Sequence, residues 1–251
     1  MKLHHELSGP PDAPVVVLGN SLGTTTALWE AHLPVLHRRF RVLRYDHRGH
    51  GGSPTAPGPY RIDDLADDVL ELLDALDLPR VSYCGVSLGG MVGMWLAGHA
   101  PERIERLVLC CAVALSPTAQ PWLDRAAEVR AWGTGAVATS VARHWFTGEF
   151  ATRCPEVVSA FAVGVSTVDD EGFAGCCDAL SALDLRSVLP AIEAPTAVVA
   201  GVYDEVTPPH SGWAVAEAIP GASFHLVRGA HLAVVEAAEE VSAIMDAHLG
   251  G

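Results

Sequence analysis

A serine between two glycines is the strongest chemical signal in this sequence. Residues 85–89 read Gly-Val-Ser-Leu-Gly, directly after an apolar run that ends at Cys84 and directly before a helical pattern over 90–99. A serine on so sharp a strand-to-helix turn needs small neighbours, because its backbone is strained and the adjacent chain passes close. The pattern predicts that Ser87 is a nucleophile. The alternative is a tight glycine turn whose serine only caps the following helix.

A serine hydroxyl reacts poorly at neutral pH, so Ser87 needs a base, and the base needs an acid that fixes its tautomer. In one of the known chain orders of such triads, the acid and then the histidine follow the nucleophile, each just beyond a later strand. Asp204 comes shortly after the apolar run 197–200, and His231 comes shortly after the run 223–227. We therefore predict Asp204 as the acid and His231 as the base.

Other side chains compete for these two roles. Glu205 is the rival acid, although it lies one position further from the strand. Among the other histidines, His144 could touch a substrate, whereas His47 and His50 belong to a glycine-rich loop that favours a structural role. His210 is predicted closer to the loops at the catalytic edge of the sheet. The rest are expected on the surface or in the core, namely His4, His5, His32, His37, His99, His225 and His248.

Acyl transfer also needs two backbone N–H groups aimed at the oxygen that becomes negative in the intermediate. One comes from the residue after the nucleophile, here Leu88, and the other from an early loop. Residues 20–23 read Asn-Ser-Leu-Gly directly after the first clear strand, and Gly23 permits an unusual turn there. We predict Leu22 as the second donor, with an ordinary strand-to-helix loop as the alternative.

Short Val- and Leu-rich runs alternate with longer helical patterns, which is typical of parallel strands joined by crossover helices. We therefore predict the α/β class, with a mostly parallel central sheet and flanking helices. Residues 62–76 repeat apolar side chains at three- and four-residue spacings and so predict one amphipathic helix, whose carboxylates we expect to face solvent. The predicted strands are 15–18, 41–45, 81–84, 107–112, 197–200 and 223–227.

The alternation stops between about residues 116 and 184, where helical segments follow one another without a convincing strand. Insertions after the carboxyl end of a strand lie over the ligand crevice of an open α/β sheet. We predict a single domain over 1–251, with a helical cap at about 118–184 between core segments 1–117 and 185–251.

The composition describes an acidic chain that can bury a large core. Hydrophobic residues make up 49% of the 251 positions and charged residues 18%, and no segment is polar enough to be disordered. The net charge is −14, and the sequence contains no cluster of Lys or Arg. Nucleic acid and anionic membranes are therefore disfavoured as partners. We interpret the acidic excess as a solubility feature.

The remaining bulk signals point to a soluble cytoplasmic protein. The N-terminus lacks the basic start and apolar segment of a secretion signal, and no apolar run is long enough to span a bilayer. Six cysteines include two adjacent pairs but no Cys-x-x-Cys, so we expect reduced, mostly buried thiols and neither a zinc site nor a redox pair. The sequence leaves open whether the chain forms a homo-oligomer.

With these residues in place, the chain resembles the α/β-hydrolase superfamily over essentially its whole length. Many members carry His-Gly where this chain has Asn20-Ser21. The matching motifs are Asp-His-Arg-Gly-His-Gly-Gly-Ser at 46–53, the serine turn at 84–90, Gly-Val-Tyr-Asp at 201–204 and Ala-His at 230–231.

The motif that begins at Asn20 resembles that of the 3-oxoadipate enol-lactonases, which have Asn-Ser-Leu-Gly-Thr followed by Trp. Here the motif spans 20–24, with Trp29 beyond it. The cap adds His-Trp-Phe-Thr at 144–147, where that family tends to have Arg-Trp-Phe-Thr, and 171–177 leading to 183–186. Because His144 replaces the arginine and Arg143 is one residue away, the contact to the substrate carboxylate stays open.

The resemblance implies hydrolysis of 3-oxoadipate enol-lactone to 3-oxoadipate, in the breakdown of protocatechuate and catechol. It implies Ser87 as nucleophile, with His231 and Asp204, and no metal or organic cofactor. A cap cation with an aromatic wall would orient the free carboxylate of such a small-molecule lactone. Arg125 and Trp145 are the candidates, with Trp122 behind them. Cap packing and surface charge are the alternative explanation for all three.

Several other activities would keep the same three residues. They include a general carboxylesterase, a lactonase for another lactone and a cofactor-free perhydrolase. A haloalkane dehalogenase is disfavoured because its nucleophile would be an aspartate at position 87. A ligand receptor that retains the triad is a rival from another class, and no feature of the sequence specifically favours it.

Overall fold

The Val- and Leu-rich runs form the centre of a seven-stranded sheet with the order β1-β3-β2-β4-β5-β6-β7. A computed structural model describes residues 1–251 of the chain. All neighbouring strands are parallel except β1, which pairs antiparallel with β3. The α/β class predicted from the sequence is confirmed. The strands are β1 His5–Ser8, β2 Val15–Gly19, β3 Arg41–Tyr45, β4 Val81–Val86, β5 Ile104–Cys110, β6 Thr196–Gly201 and β7 Ser223–Val227.

The predicted strands differ from the observed ones mainly at the edges. The pattern predicted 107–112, whereas β5 spans Ile104–Cys110. The edge strand β1 was not predicted, because His-Glu-Leu-Ser carries no apolar alternation and its pairing with β3 supplies the backbone hydrogen bonds. The central strands β4 and β6 are buried along their whole length, as expected for strands covered by helices on both faces.

Helices cover this sheet between and after its strands. The amphipathic helix predicted at 62–76 spans Ile62–Ala75, and the helix after Ser87 begins at once with Leu88. No helix is long and apolar enough to cross a bilayer. The helices outside the insertion are α1 Leu33–Leu36, α2 Ile62–Ala75, α3 Leu88–His99, α9 Pro209–Ala218, α10 Ala233–Glu236 and α11 Ala238–Leu249, with 3₁₀ turns at Thr26–His32, Pro101–Arg103 and Leu189–Ala191.

One carboxylate of α2 departs from the expected solvated face. Asp68 is buried, and its carboxylate accepts from Arg48 Nε at 2.6 Å. The same guanidinium lies over the Tyr60 ring, 5.0 Å from its centroid. The helix is therefore tied by an ion pair to the loop that follows β3, a contact that the helical periodicity could not reveal.

Five consecutive helices form the insertion between β5 and β6. Within it, α4 packs against α8, and α5 packs against α7. The two ends of the insertion meet, because Ser116 N–H donates to the Leu183 carbonyl at 3.1 Å and Leu185 N–H donates to the Ala114 carbonyl at 2.6 Å. The five helices are α4 Gln120–Trp132, α5 Thr134–Arg143, α6 Gly148–Arg153, α7 Pro155–Ser166 and α8 Asp170–Ser181.

The glycine-rich loop 46–53 holds two buried histidines beneath the loop that follows β2. His47 Nε2 donates to the Asn20 carbonyl at 2.9 Å. His50 Nε2 accepts from Gly23 N–H at 3.0 Å, while its Nδ1 donates to a neighbouring carbonyl. Burial lowers the pKa of each of these two histidines to about 4. Both rings are thus neutral parts of the framework, as expected for a structural loop.

These histidines should make the fold sensitive to acid. Between the ordinary histidine pKa of about 6.5 and a folded value of about 4, the unfolded chain binds more protons than the folded chain. The free energy of unfolding should therefore fall as pH is lowered through this window, by up to about 1.4 kcal/mol per pH unit for each histidine. Urea unfolding at pH 7.5, 6.5 and 5.5 measures the slope.

The matched variant is His50→Gln, whose amide oxygen can still accept from Gly23 N–H but which does not titrate. We expect it to reduce the pH slope, whereas His99→Gln at an exposed position should leave the slope unchanged. Buried His32, whose pKa is also lowered by burial, contributes to the same slope in every variant. Equal slopes in wild type and His50→Gln would contradict the assignment.

Candidate active site

Ser87 occupies the turn between β4 and α3 in a strained conformation. Its φ of 54° and ψ of −118° lie in a region where residues other than glycine are rare. A Cβ on Gly85 would collide with the Gly89 backbone, and a Cβ on Gly89 would collide with the Gly19 backbone. The two glycines of the sequence motif are therefore required by close backbone contact. The Ser87 N–H donates to the Cys110 carbonyl at 2.9 Å, which ties the turn to β5.

The structure brings Ser87, His231 and Asp204 into one hydrogen-bonded series. His231 Nε2 lies 2.9 Å from Ser87 Oγ, and His231 Nδ1 lies 3.0 Å from Asp204 Oδ2. All three residues are buried. Because the carboxylate accepts from Nδ1–H, Nε2 carries the lone pair and can accept the serine proton. In this arrangement the imidazole can activate the hydroxyl as a nucleophile.

The Asp204 carboxylate is held ionised by several donors. Oδ1 accepts from the backbone N–H groups of Val206 at 2.8 Å and Thr207 at 2.9 Å. The Thr207 hydroxyl also donates to Oδ2 at 2.6 Å. Burial by itself would raise the pKa of Asp204, but His231 and the Thr207 hydrogen bonds outweigh it, so the pKa is lowered. The rival Glu205 is exposed and makes no hydrogen bond to His231.

Thr207 is a site residue that the sequence analysis missed. Besides Asp204, its hydroxyl lies 2.9 Å from the Cys111 carbonyl and 3.2 Å from His231 Nδ1. The signal that could have found it is local, since an aspartate followed three residues later by threonine is a common side-chain-to-backbone turn. The threonine thus helps to fix the orientation of the carboxylate.

The backbone N–H groups of Leu22 and Leu88 donate to no protein acceptor, although both leucines are buried. The next N–H along the chain is paired in each case, because Gly23 N–H donates to His50 Nε2 and Gly89 N–H donates to the Asn20 carbonyl at 2.9 Å. The Ser21 N–H, before Leu22, also donates to no protein acceptor. Buried N–H groups are nearly always paired, so free ones beside a serine turn are unusual. They have the character of an anion site such as an oxyanion hole.

Asn20 fixes the loop that carries Leu22. Its Nδ2 donates to the Tyr45 carbonyl at 2.6 Å, and its Oδ1 accepts from Trp29 Nε1 at 3.0 Å. On the far side of the turn, Tyr83 donates through its hydroxyl to the Gly89 carbonyl at 3.0 Å. The asparagine and tryptophan of the sequence motif therefore act here as structural anchors of the loop.

A cavity of about 230 Å³ lies between the cap and the Ser87 turn. Ser87 and His231 line its floor together with Leu22. The cap contributes the three predicted contact residues and His144, which the sequence also suggested could touch a substrate. It adds four apolar residues that were not predicted as contacts. These cap residues are Pro121, Trp122, Arg125, Val141, His144, Trp145, Phe173 and Leu180.

Four basic side chains of the cap, Arg125, Arg130, Arg143 and His144, differ in their surroundings. Arg125 lines the cavity, donates no hydrogen bond and has Glu128 as its nearest carboxylate, at 3.8 Å. Arg130, in contrast, is bound by two carboxylates within 2.9 Å. Arg143 lines a separate outer groove, and His144 is exposed at the boundary of groove and cavity. Arg125 is therefore the arginine whose charge is available inside the cavity.

The cap lies directly on the loop that carries Leu22. A side chain at Gly23, whose φ is +80°, would meet the rings of Phe173 and Trp145 at 3.3 and 3.4 Å. Further along the cap, the backbones of Gly49 and Gly172 approach so closely that neither can carry a side chain. This contact explains why residue 172 of the cap motif 171–177 is a glycine. No three His, Cys, Asp or Glu side chains are placed to hold a metal ion.

Comparison with known proteins gives consistent relatives. A family model described as alpha/beta hydrolase fold matches residues 14–238. The chain is 38% identical to 3-oxoadipate enol-lactonase 2 of Acinetobacter baylyi over 234 residues, which cover 93% of this chain and 88% of that protein. It is 34% identical to RutD of Variovorax paradoxus, named for carbamate hydrolysis, over 257 residues covering 98% and 96%.

Among solved structures, the enol-lactonase from Burkholderia xenovorans LB400 superimposes with a TM-score of 0.97 and 37% sequence identity. The match covers 99% of this chain and 96% of that one. The resemblance to enol-lactonases noted in the sequence is thereby confirmed, together with a hydrolase function. The chain belongs to the α/β-hydrolase family.

Proposed function

We propose that this hydrolase opens a small lactone that carries a free carboxylate, with 3-oxoadipate enol-lactone as substrate and 3-oxoadipate as product. The reaction would be a step in the breakdown of aromatic compounds. The relatives named as enol-lactonases support the ring type. The observation that carries the proposal is Arg125, which lines the same cavity as Ser87 and His231 and whose guanidinium has only a long ion pair, 3.8 Å to Glu128.

Arg125 suits a substrate with one carboxylate at a distance from its reacting carbonyl. A guanidinium at the wall of a small and largely apolar cavity can bind a carboxylate through two parallel hydrogen bonds, which are stronger than hydrogen bonds between neutral groups. Trp122 and Trp145 line the same cavity and offer flat apolar surfaces to an unsaturated ring. The volume of about 230 Å³ is small for a ligand pocket and favours a compact molecule.

The acylation step uses the hydrogen-bonded series around Ser87. Ser87 Oγ attacks the lactone carbonyl while His231 Nε2 takes the hydroxyl proton, and Asp204 stabilises the imidazolium that forms. The negative oxygen of the tetrahedral intermediate binds to the N–H groups of Leu22 and Leu88. Collapse breaks the ring ester bond. The leaving oxygen departs as an enolate, which takes up the proton from the His231 imidazolium and becomes the ketone of the product, so that His231 is neutral again.

Hydrolysis of the acyl-enzyme repeats the same chemistry with water. His231 removes a proton from water, the hydroxide attacks the acyl carbonyl, and Ser87 leaves with the proton returned by the imidazolium. Atoms and charges balance with one water molecule per turnover. An enol ester has a good leaving group, so the demand on this site is selection of the substrate more than activation of its carbonyl.

Carbamate hydrolysis is the second candidate, because RutD is nearly as similar to this chain as the enol-lactonases are. The same three side chains could attack a carbamate carbonyl, but nitrogen donation makes that carbonyl less electrophilic than an enol ester. A substrate panel of enol-lactone, neutral lactone, 4-nitrophenyl acetate and a carbamate separates the two functions. Faster turnover of the carbamate than of the enol-lactone would replace the proposal.

Removal of the nucleophile should abolish hydrolysis without unfolding the chain. Ser87→Ala fits the same space and leaves the Asp204–His231 bond in place. We expect at least about a 10³-fold loss of kcat for the enol-lactone, with an unchanged thermal midpoint. A phosphonate ester should label only the wild type. More than about a hundredth of the wild-type rate in Ser87→Ala would indicate direct attack by water.

The two neighbouring carboxylates provide a matched pair of variants. Asp204→Asn should lower kcat by about 10²- to 10⁴-fold, because an amide neither enforces the tautomer of His231 nor stabilises the imidazolium. Glu205→Gln, at an exposed position, should be close to wild type. Steady-state kinetics on both variants at one pH checks the ranking, and a reversed ranking would assign the acid to Glu205.

The role of Arg125 is tested by the charge of the substrate. Arg125→Ala should lower kcat/KM for 3-oxoadipate enol-lactone by about 10- to 100-fold, the value of a hydrogen bond to a charged group. Its effect on 4-nitrophenyl acetate should be small, because that ester has no carboxylate to bind. Arg143→Ala, outside the cavity, is the matched control. A loss confined to Arg143→Ala would move the contact to the outer groove.

A further inference from the structure

The cap is bonded to the histidine loop on both sides of His231. After the histidine, Leu232 N–H donates to the Trp145 carbonyl of the cap at 2.9 Å. Before it, Ala230 N–H donates to Glu236 Oε2 at 3.1 Å. The same carboxylate also accepts hydrogen bonds from Thr147, the N-cap residue of α6 in the cap. His231 is therefore flanked by two backbone groups whose partners depend on the cap.

The Glu236 carboxylate joins the cap to the loop. Its Oε2 accepts from Thr147 N–H at 3.1 Å as well as from Ala230 N–H, and its Oε1 accepts from the Thr147 hydroxyl. No Arg, Lys or His forms an ion pair with this carboxylate. Its charge is thus stabilised by three neutral donors, two from the cap and one from the histidine loop, and charge-assisted bonds of this kind are stronger than neutral ones.

We propose that Glu236 is a positioning residue that holds His231 in line with Ser87 through Thr147 of the cap. The inference rests on the role of His231 proposed above and not on the identity of the lactone. No helix or strand contains His231, which follows the edge strand β7 in the loop before α10. The position of its ring therefore depends on the side-chain bond to Asp204 and on the bonds of its neighbouring backbone.

Loss of the Glu236 carboxylate would remove the acceptor that joins the histidine loop to the cap. Ala230 and Glu236 both line the outer groove, so water could replace the carboxylate at the Ala230 N–H, but it would not hold the loop against Thr147. A shift of about 1 Å at His231 is enough to lower a rate by about 10²-fold, because proton transfer requires close alignment. Trp145 lines the substrate cavity and bonds to Leu232, so the same cap segment contacts both the substrate space and the base.

The experiment compares variants that break and keep these hydrogen bonds, with 4-nitrophenyl acetate as substrate. Glu236→Ala removes all three acceptor bonds, and we expect about a 10- to 100-fold loss of kcat with KM changed by less than about 3-fold. Glu236→Gln keeps the shape and an acceptor oxygen and should recover most of the activity. Glu239→Ala, exposed on α11, is the matched control and should equal wild type.

The cap side of the contact gives an independent pair. Thr147→Val removes the hydroxyl donor while keeping the volume, and it should lower kcat in the same direction as Glu236→Ala. Thr147→Ser retains the donor and should restore the rate. Thr152→Val, on an exposed turn of the same short helix, is its control. Phosphonate labelling of Ser87 should slow by the same factor as kcat, since acylation needs the aligned base.

Different results are expected if Glu236 and Thr147 only stabilise the fold. In that case Glu236→Ala and Thr147→Val would lower the thermal midpoint while kcat stayed within about 3-fold of wild type, and this outcome would overturn the proposal. A rise of KM with unchanged kcat would also overturn it, because the contact would then serve binding alone. If Glu236→Ala does not fold, the Thr147→Val and Thr147→Ser pair decides by the same criteria. If the variants behave as expected with 4-nitrophenyl acetate but the wild type does not hydrolyse the enol-lactone, the proposed substrate is wrong and the role of Glu236 stands.

Discussion

The site depends on three stretches of backbone that touch without side chains between them. The end of β2 at Gly19, the end of β4 at Gly85 and the start of α3 at Gly89 approach so closely that a single methyl group at Gly85 or Gly89 would collide with the opposing backbone. This contact holds Ser87 at a positive φ and frees the next N–H from any intrahelical partner. The strained serine is thus sustained by the packing of the surrounding backbone.

The side chains that support this contact are buried and hydrogen-bonded. Asn20 uses both its amide nitrogen and its oxygen, and the neutral rings of His47 and His50 complete the support of the loop. The unpaired N–H groups of Leu22 and Leu88 stand out against this background. A framework that satisfies its own side chains and leaves these two donors free is preorganised for a negative oxygen, because no reorientation is needed when charge develops.

Much of the fold and of the candidate site could be predicted from the sequence, because both depend on local patterns. Glycines and apolar runs in the sequence predict the strand-turn-helix around Ser87. Asp204 and His231 each follow a predicted strand by a few residues. The strand β1 could not be found in this way, since its stability comes from pairing with β3. Asp68 and Glu236 likewise have partners far away in the chain, and their roles are set by tertiary contacts that no spacing encodes.

The two ends of the cap meet at one point of the core, where the backbones around Ala114 and Leu185 are hydrogen-bonded. An insertion that leaves and returns at one place can be exchanged during evolution without disturbing the sheet, so new specificities can arise by replacing the cap as a module. The bonds to Glu236 and Leu232 restrict this freedom. A replacement cap must still offer donors to that carboxylate and a carbonyl to that N–H, so the segment around Trp145 and Thr147 is the part of the cap that is least free to be exchanged.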